Sequence, residues 1–129
     1  MTTEQKIQYI ADHYGYEPQS RQLIEEMAEL TVAINKGWRK SHPLEYSAGS
    51  EYEHIIEEMA DTVIMIWQIK YLLGVGEGEL SKIIEQKLDR QIERIKKSRK
   101  EQASGRGKGI YVRFWILQHG LYGGNERIS

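Results

Sequence analysis

Two short carboxylate clusters constrain this chain more than any other feature: Glu25-Glu26-Met27-Ala28-Glu29 and Glu57-Glu58-Met59-Ala60-Asp61. Each is set inside an apolar pattern of helical period. Glu26 and Glu29 are three residues apart, as are Glu58 and Asp61, and such i, i+3 pairs lie on one face of an α-helix about one turn from each other. Two of these pairs on facing antiparallel helices would gather four carboxylates into one small volume. Like charges held that closely repel unless a cation sits among them or some take up protons.

The second cluster has the more telling surroundings. Asp61 is followed by Thr62, Val63, Ile64, Met65, Ile66 and Trp67. At about 100° per residue, Met59, Val63 and Ile66 share one face, while Ile64 and Met65 flank the Glu58/Asp61 stripe. A helix apolar on nearly all sides is a buried helix, so the carboxylate stripe is expected to be covered too. Unpaired buried carboxylates are unfavourable by on the order of several kcal/mol each, and no Lys or Arg lies between Glu51 and Gln68. A metal ion is the simplest compensator. An all-oxygen ligand set suits Mg²⁺, with Mn²⁺ as a substitute, better than Zn²⁺.

The remaining composition narrows the classes. A chain of 129 residues with a formal net charge of −1 is most simply one domain, and its charge indicates neither a nucleic-acid nor a membrane partner. The absence of cysteine removes disulfides, zinc–thiolate sites and thiol nucleophiles, and fits a cytoplasmic location. The polar stretch Met1–Ile10 lacks the apolar core of a signal peptide. No apolar run approaches the roughly 18 residues needed to span a bilayer.

Four helices are expected, and the fold class is all-α. Thr2 or Thr3 caps a first helix to about His13, with Ile7 and Ile10 on its apolar side. Pro18 fits the first turn of a second helix, whose core stripe is Leu23, Met27, Leu30 and Ile34, with Glu26 at its border and Gly37 at its end. Residues 37–50 form the longest interior connection, a rim or lid in this reading. Ser50 and Glu53 make a capping-box pattern for the third helix, which runs to about Leu73 before Gly74, Gly76 and Gly78. The fourth helix runs from about Glu79 to Arg99, its apolar side formed by Leu80, Ile83, Ile84, Leu88, Ile92 and Ile95. Seven Lys or Arg against one Glu between Arg94 and Lys108 make a basic linker. The run Ile110–Leu117 then reads as a short strand or an apolar arm, giving a domain over residues 1–100 and a linker and arm over 101–129.

Other chemistries find less support. Glu51 and His54 make one Glu-x-x-His, whereas ferritin-like di-iron sites use that motif on each of two helices; His54 is read as a rim residue. Gly74-Val-Gly-Glu-Gly78 lacks the Lys-Ser/Thr ending of a phosphate loop. Lys87, Arg90 and Arg94 could face phosphates, though a solvated face is the default. Trp38 and Trp67 are candidates for stacking a base, with Trp67 better placed in the core.

The pair of motifs, Glu-Glu-x-x-Glu at 25–29 and Glu-x-x-Asp at 58–61 on the second and third of four helices, resembles the MazG-like all-α nucleoside triphosphate pyrophosphohydrolases. The dimeric dUTPases and dCTP pyrophosphatases belong to the same superfamily. The resemblance covers about residues 17–98. It implies a four-helix bundle-like fold, oligomeric, with sites near subunit interfaces, while the C-terminal arm, with the tail from Ala103 to Ser129, matches no element of the family. It further implies that Glu26, Glu29, Glu58 and Asp61 ligate Mg²⁺, and that Glu25 is an extra ligand or orients the attacking water. The reaction implied is cleavage of the α–β phosphoanhydride to a nucleoside monophosphate and pyrophosphate. Lys87, Gln91 and Arg94 match positions that contact phosphate or sugar, with Gln91 where family members carry Asn. The rival expectation is a non-catalytic helical interaction protein whose basic tail engages a partner or nucleic acid.

Overall fold

The computed structural model describes residues 1–40 and 50–105. These form four helices: α1 (Thr3–Tyr14), α2 (Tyr16–Lys40), α3 (Ser50–Leu72) and α4 (Glu79–Ala103). Among the described residues there is no strand, so the all-α class holds. No helix among them is long and apolar enough to cross a membrane. The expected arm at 110–117 and most of the 37–50 connection lie outside the described residues.

Local chemistry explains the helix ends. Thr2 caps α1 through a capping box, accepting from the Gln5 N–H at 3.1 Å while the Gln5 side chain accepts from the Thr2 N–H at 2.8 Å. Gly15 takes φ +83° between α1 and α2. At the end of α3, Gly74 takes φ +66° and the Val75 N–H reaches back to the Lys70 carbonyl at 3.1 Å, the 6→1 bond of a Schellman turn. Gly37 does not end α2. It is buried inside the helix, which continues for three residues to Lys40. α4 likewise runs past residue 100 to Ala103, and the division between two packed units falls at Gly76/Glu77, in the glycine turn.

In the first unit, Met1–Gly76, α2 and α3 pack antiparallel with α1 against them. The register is fixed by cross-helix contacts: Gln19 Nε2 donates to Gln68 Oε1 at 2.6 Å, Thr62 Oγ1 lies 3.3 Å from the Glu26 carbonyl, and Lys40 pairs with Glu51 at 3.0 Å. On α2 a covered row runs through Gln19, Leu23, Glu26, Leu30, Ala33 and Gly37; on α3 one runs through Ile55, Glu58, Thr62, Met65, Ile69 and Leu72, with Gln68 buried beside it. Both rows alternate steps of three and four, the 3.5-residue period of a coiled-coil seam.

That seam corrects the expected stripe on α2. Met27 is 52% exposed, and Glu26, which the apolar pattern placed at the border, sits in the buried row. The small residues Ala33 and Gly37 are buried in this row, while Met27 faces outward. α3 is also not covered on nearly all sides within this unit: Ile56, Met59, Val63 and Ile66 form an exposed outer face. Trp67, expected in the core, is 46% exposed. α4 keeps the expected apolar side, and none of its residues is buried.

The interior of the first unit is small and partly polar. Ile7, Ala11, Ala33 and Met65 are buried together with Gln19, Thr62 and Gln68. α1 is tied to α3 by the Tyr71 hydroxyl, which donates to Asp12 with both carboxylate oxygens at 3.0 Å. That hydrogen bond, then partial burial and the Asp12 charge, raise the Tyr71 pKa above its ordinary 10.0.

The Gln19–Gln68 bond gives a direct check on the seam. Gln68→Leu strands a buried amide and should lower unfolding stability by about 1–3 kcal/mol. The double variant Gln19→Leu/Gln68→Leu, which removes both polar partners, should recover most of that loss in urea denaturation.

Candidate metal centre

The seam brings the two carboxylate clusters to one level. One carboxylate oxygen each from Glu26, Glu58 and Asp61 lies within 4.8 Å of the others. Thr62 makes this approach possible. Its hydroxyl, at 2.8 Å from the Glu58 carbonyl and 3.3 Å from the Glu26 carbonyl, is buried between α2 and α3 one turn beyond Glu58.

Glu26 and Glu58 are partly buried and Asp61 is exposed, so the group opens on one side to solvent. The Oε1 atoms of both glutamates are engaged: Gln22 Nε2 donates to Glu26 Oε1 at 2.7 Å, and His54 Nε2 lies 3.0 Å from Glu58 Oε1. Their Oε2 atoms are different. Both are buried and have no hydrogen-bond partner. A buried, unsatisfied carboxylate oxygen is a destabilised group, and two in one cluster compound the repulsion.

Glu29 sits beside this group without being one of the three. Its pKa is raised above the ordinary 4.5, chiefly by the charge of Glu26, then by burial and by the charge of Glu58, with a Glu26 side-chain hydrogen bond and the charge of Glu25 adding to the shift. The structure therefore places Glu29 within the field of the cluster, and Glu25 on its exposed edge.

The remaining expected residues belong to other segments of the chain. Trp38 is nine residues beyond Glu29, about 14 Å along the axis of α2 at the usual helical rise, and it is partly exposed. Lys87, Gln91 and Arg94 belong to α4 in the second unit; their spacing puts them on one face, along the edge of its apolar stripe, and all three are exposed. Glu51 and His54 do not join in a metal group: Glu51 pairs with Lys40 and His54 with Glu58.

Two residues of the centre escaped the sequence reading as participants, Gln22 and His54. The signal was present, since each stands four residues before a cluster glutamate, the spacing at which helix side chains meet. A cleft of about 510 Å³ was not anticipated either; it lies between the start of α1 and the end of α3, lined by Ile7, Trp67, Lys70 and Tyr71 among others. None of the cluster carboxylates lines it.

The donor set fits a hard divalent cation. It is all oxygen, it carries three negative charges when ionised, and two of its oxygens are orphaned and buried. Comparison with known proteins finds no match to a family model, to a curated protein or to a solved structure.

The raised pKa of Glu29 gives a pH prediction with a definite sign. A carboxyl whose folded pKa lies above its unfolded value binds protons more tightly when folded. Its ionised form therefore weakens the fold at neutral pH, and stability is regained as pH falls through the folded pKa toward 4.5. In metal-chelating buffer Glu29→Gln should melt at a higher temperature than the parent at neutral pH. The gap should narrow on acidification, as followed by thermal denaturation.

Proposed function

We propose that this chain is a Mg²⁺-dependent nucleotide pyrophosphohydrolase that splits a (deoxy)nucleoside triphosphate at the α–β phosphoanhydride. The observation that carries the reading is the convergence of Glu26, Glu58 and Asp61 with two buried carboxylate oxygens left unpartnered. Such a constellation suits a cation-dependent reaction on a polyanion, because a carboxylate-lined site repels a triphosphate unless cations stand between them.

Glu26, Glu58 and Asp61 would hold Mg²⁺ or Mn²⁺, with Glu29 adjoining and able to complete the set. When bound, the cation supplies charge neutralisation at the phosphates and lowers the pKa of a bound water. Glu25, at the exposed edge of the cluster, is assigned to orienting the attacking water. Lys87, Gln91 and Arg94 are assigned to phosphate and sugar, and Trp38 to the base. Apart from that of Trp38, which rests on its aromatic ring alone, these roles follow the family resemblance of the motifs.

Assembly belongs to the same reading. The outer face of α3 and the apolar side of α4 leave Met59, Val63, Ile66, Leu88 and Ile92 exposed. A homo-dimer or homo-tetramer completing the bundle would cover them. The mass measured by sedimentation equilibrium should then be two or four times the 15.1 kDa of the chain. Val63→Asp should lower it.

The reaction is tested by pyrophosphate release from a panel of NTPs and dNTPs, with and without Mg²⁺. Release should require the metal and fall by at least about 100-fold in Glu58→Ala and Asp61→Ala. A non-catalytic interaction protein, the rival that the exposed apolar faces also favour, would be silent across the panel and keep its partner binding in both variants.

A further inference from the structure

On α2 and on α3 the same device is built from different residues. Four residues before each buried glutamate, a side-chain nitrogen engages Oε1: Gln22 Nε2 on Glu26 at 2.7 Å, and His54 Nε2 on Glu58 at 3.0 Å. In both glutamates the other oxygen, Oε2, is buried and unpartnered. The carboxylates can only accept, so Gln22 gives an amide N–H and His54 must carry its proton on Nε2. The His54 side chain is 47% exposed and that of Glu58 is 13% exposed, so the pair joins a solvent-facing imidazole to a largely covered carboxylate.

We propose that Gln22 and His54 are positioning residues that turn Glu26 and Glu58 into one-oxygen donors, and thereby select a small octahedral cation against Ca²⁺. The inference rests on the metal-binding reading above and assigns its specificity. A carboxylate with both oxygens free can close on a cation in bidentate fashion. Ca²⁺ exploits that mode, taking about six to eight oxygens at roughly 2.3–2.6 Å in flexible geometry. Mg²⁺ demands near-ideal octahedral contacts at roughly 2.0–2.1 Å and keeps several waters, which single-oxygen donors permit. With Oε1 tethered to its own helix, each glutamate must give up a hydrogen bond before it can bind through both oxygens. The tether therefore penalises the larger ion without touching the metal. Hydrogen-bonded partners of ligating carboxylates act in this way generally, by orienting the donor.

The device separates from an ordinary helix-surface pair by what its loss does. An i, i+4 pair that merely supports the helix would, on removal, weaken all cations alike or none. A tether would, on removal, improve Ca²⁺ binding relative to Mg²⁺.

The experiment titrates the full chain separately with Mg²⁺, Mn²⁺ and Ca²⁺ by calorimetry, with circular dichroism to verify helix content. The proteins are the parent, Gln22→Leu, His54→Leu, the double variant, His54→Gln and Glu58→Gln. The parent should prefer Mg²⁺ and Mn²⁺ over Ca²⁺. Each leucine variant should shrink that preference, and the double variant should shrink it by about tenfold. His54→Gln, which copies the Gln22–Glu26 tether, should keep the parent's preference. If binding is lost in Glu58→Gln while the leucine variants hold the parent's ratio within about twofold, the tether is overturned and the metal centre stands. If the parent binds none of the three ions at millimolar concentration, the centre and the tether are overturned together. Should the double variant lose its helix content, the two single variants decide the question by the same ratio.

Discussion

The contact between α2 and α3 governs the first unit, and it is a seam with charge in it. A 3.5-residue period ordinarily buries apolar side chains in both rows. Here Gln19 and Glu26 occupy one row, and Glu58 and Thr62 the other. Gln19 and Gln68 satisfy each other across the interface, and Thr62 bonds to a backbone carbonyl. Among the described residues, the two glutamates are the ones left with a buried, unsatisfied side-chain oxygen. A seam that carries polar side chains and leaves two of them incomplete is a poor way to hold helices together. It is a sound way to hold a cation, because the groups that weaken the packing are the same groups that would ligate it.

The helices and their order were legible in the sequence because their signals are local. Capping at Thr2, the proline in the first turn of α2 and the glycine cluster after α3 all act within a few residues. The approach of the two clusters was legible in part: i, i+3 spacing on antiparallel helices led to four converging carboxylates, and Glu26, Glu58 and Asp61 converge while Glu29 stands beside them. The rotation of α2 was not. Leu23, Met27, Leu30 and Ile34 make the stronger hydropathy stripe, yet the buried row passes through Ala33 and Gly37, and small residues carry little weight in an apolar pattern. Gly37 misled for a second reason: a glycine after a long periodic stretch signals a helix end, and here close packing uses it inside the helix. The tethers on Glu26 and Glu58 went unread because a helix offers many i, i+4 pairs, and only the tertiary structure shows which carboxylates are buried.

Exposure of the outer face of α3 follows from the same geometry. A helix that is apolar nearly all round has more surface to cover than one neighbour can cover. α2 takes the row containing Thr62 and Met65, α1 takes the end near Tyr71, and Met59, Val63 and Ile66 remain. Among the described residues of this unit, Ile7, Ala11, Ala33 and Met65 are the buried apolar ones, a modest burial for its length.

The turn after α3 also has a meaning that its glycines conceal. Gly74 and Gly78 both hold positive φ, and nothing lies within 4 Å of the point where a Cβ would stand on either. The requirement there is one of handedness and not of room. An L-alanine at Gly78 would be strained in empty space, whereas a D-alanine would fit the backbone as it is and stiffen the link. Chirality, with no crowding of a side chain by any neighbour, favours glycine at these two positions.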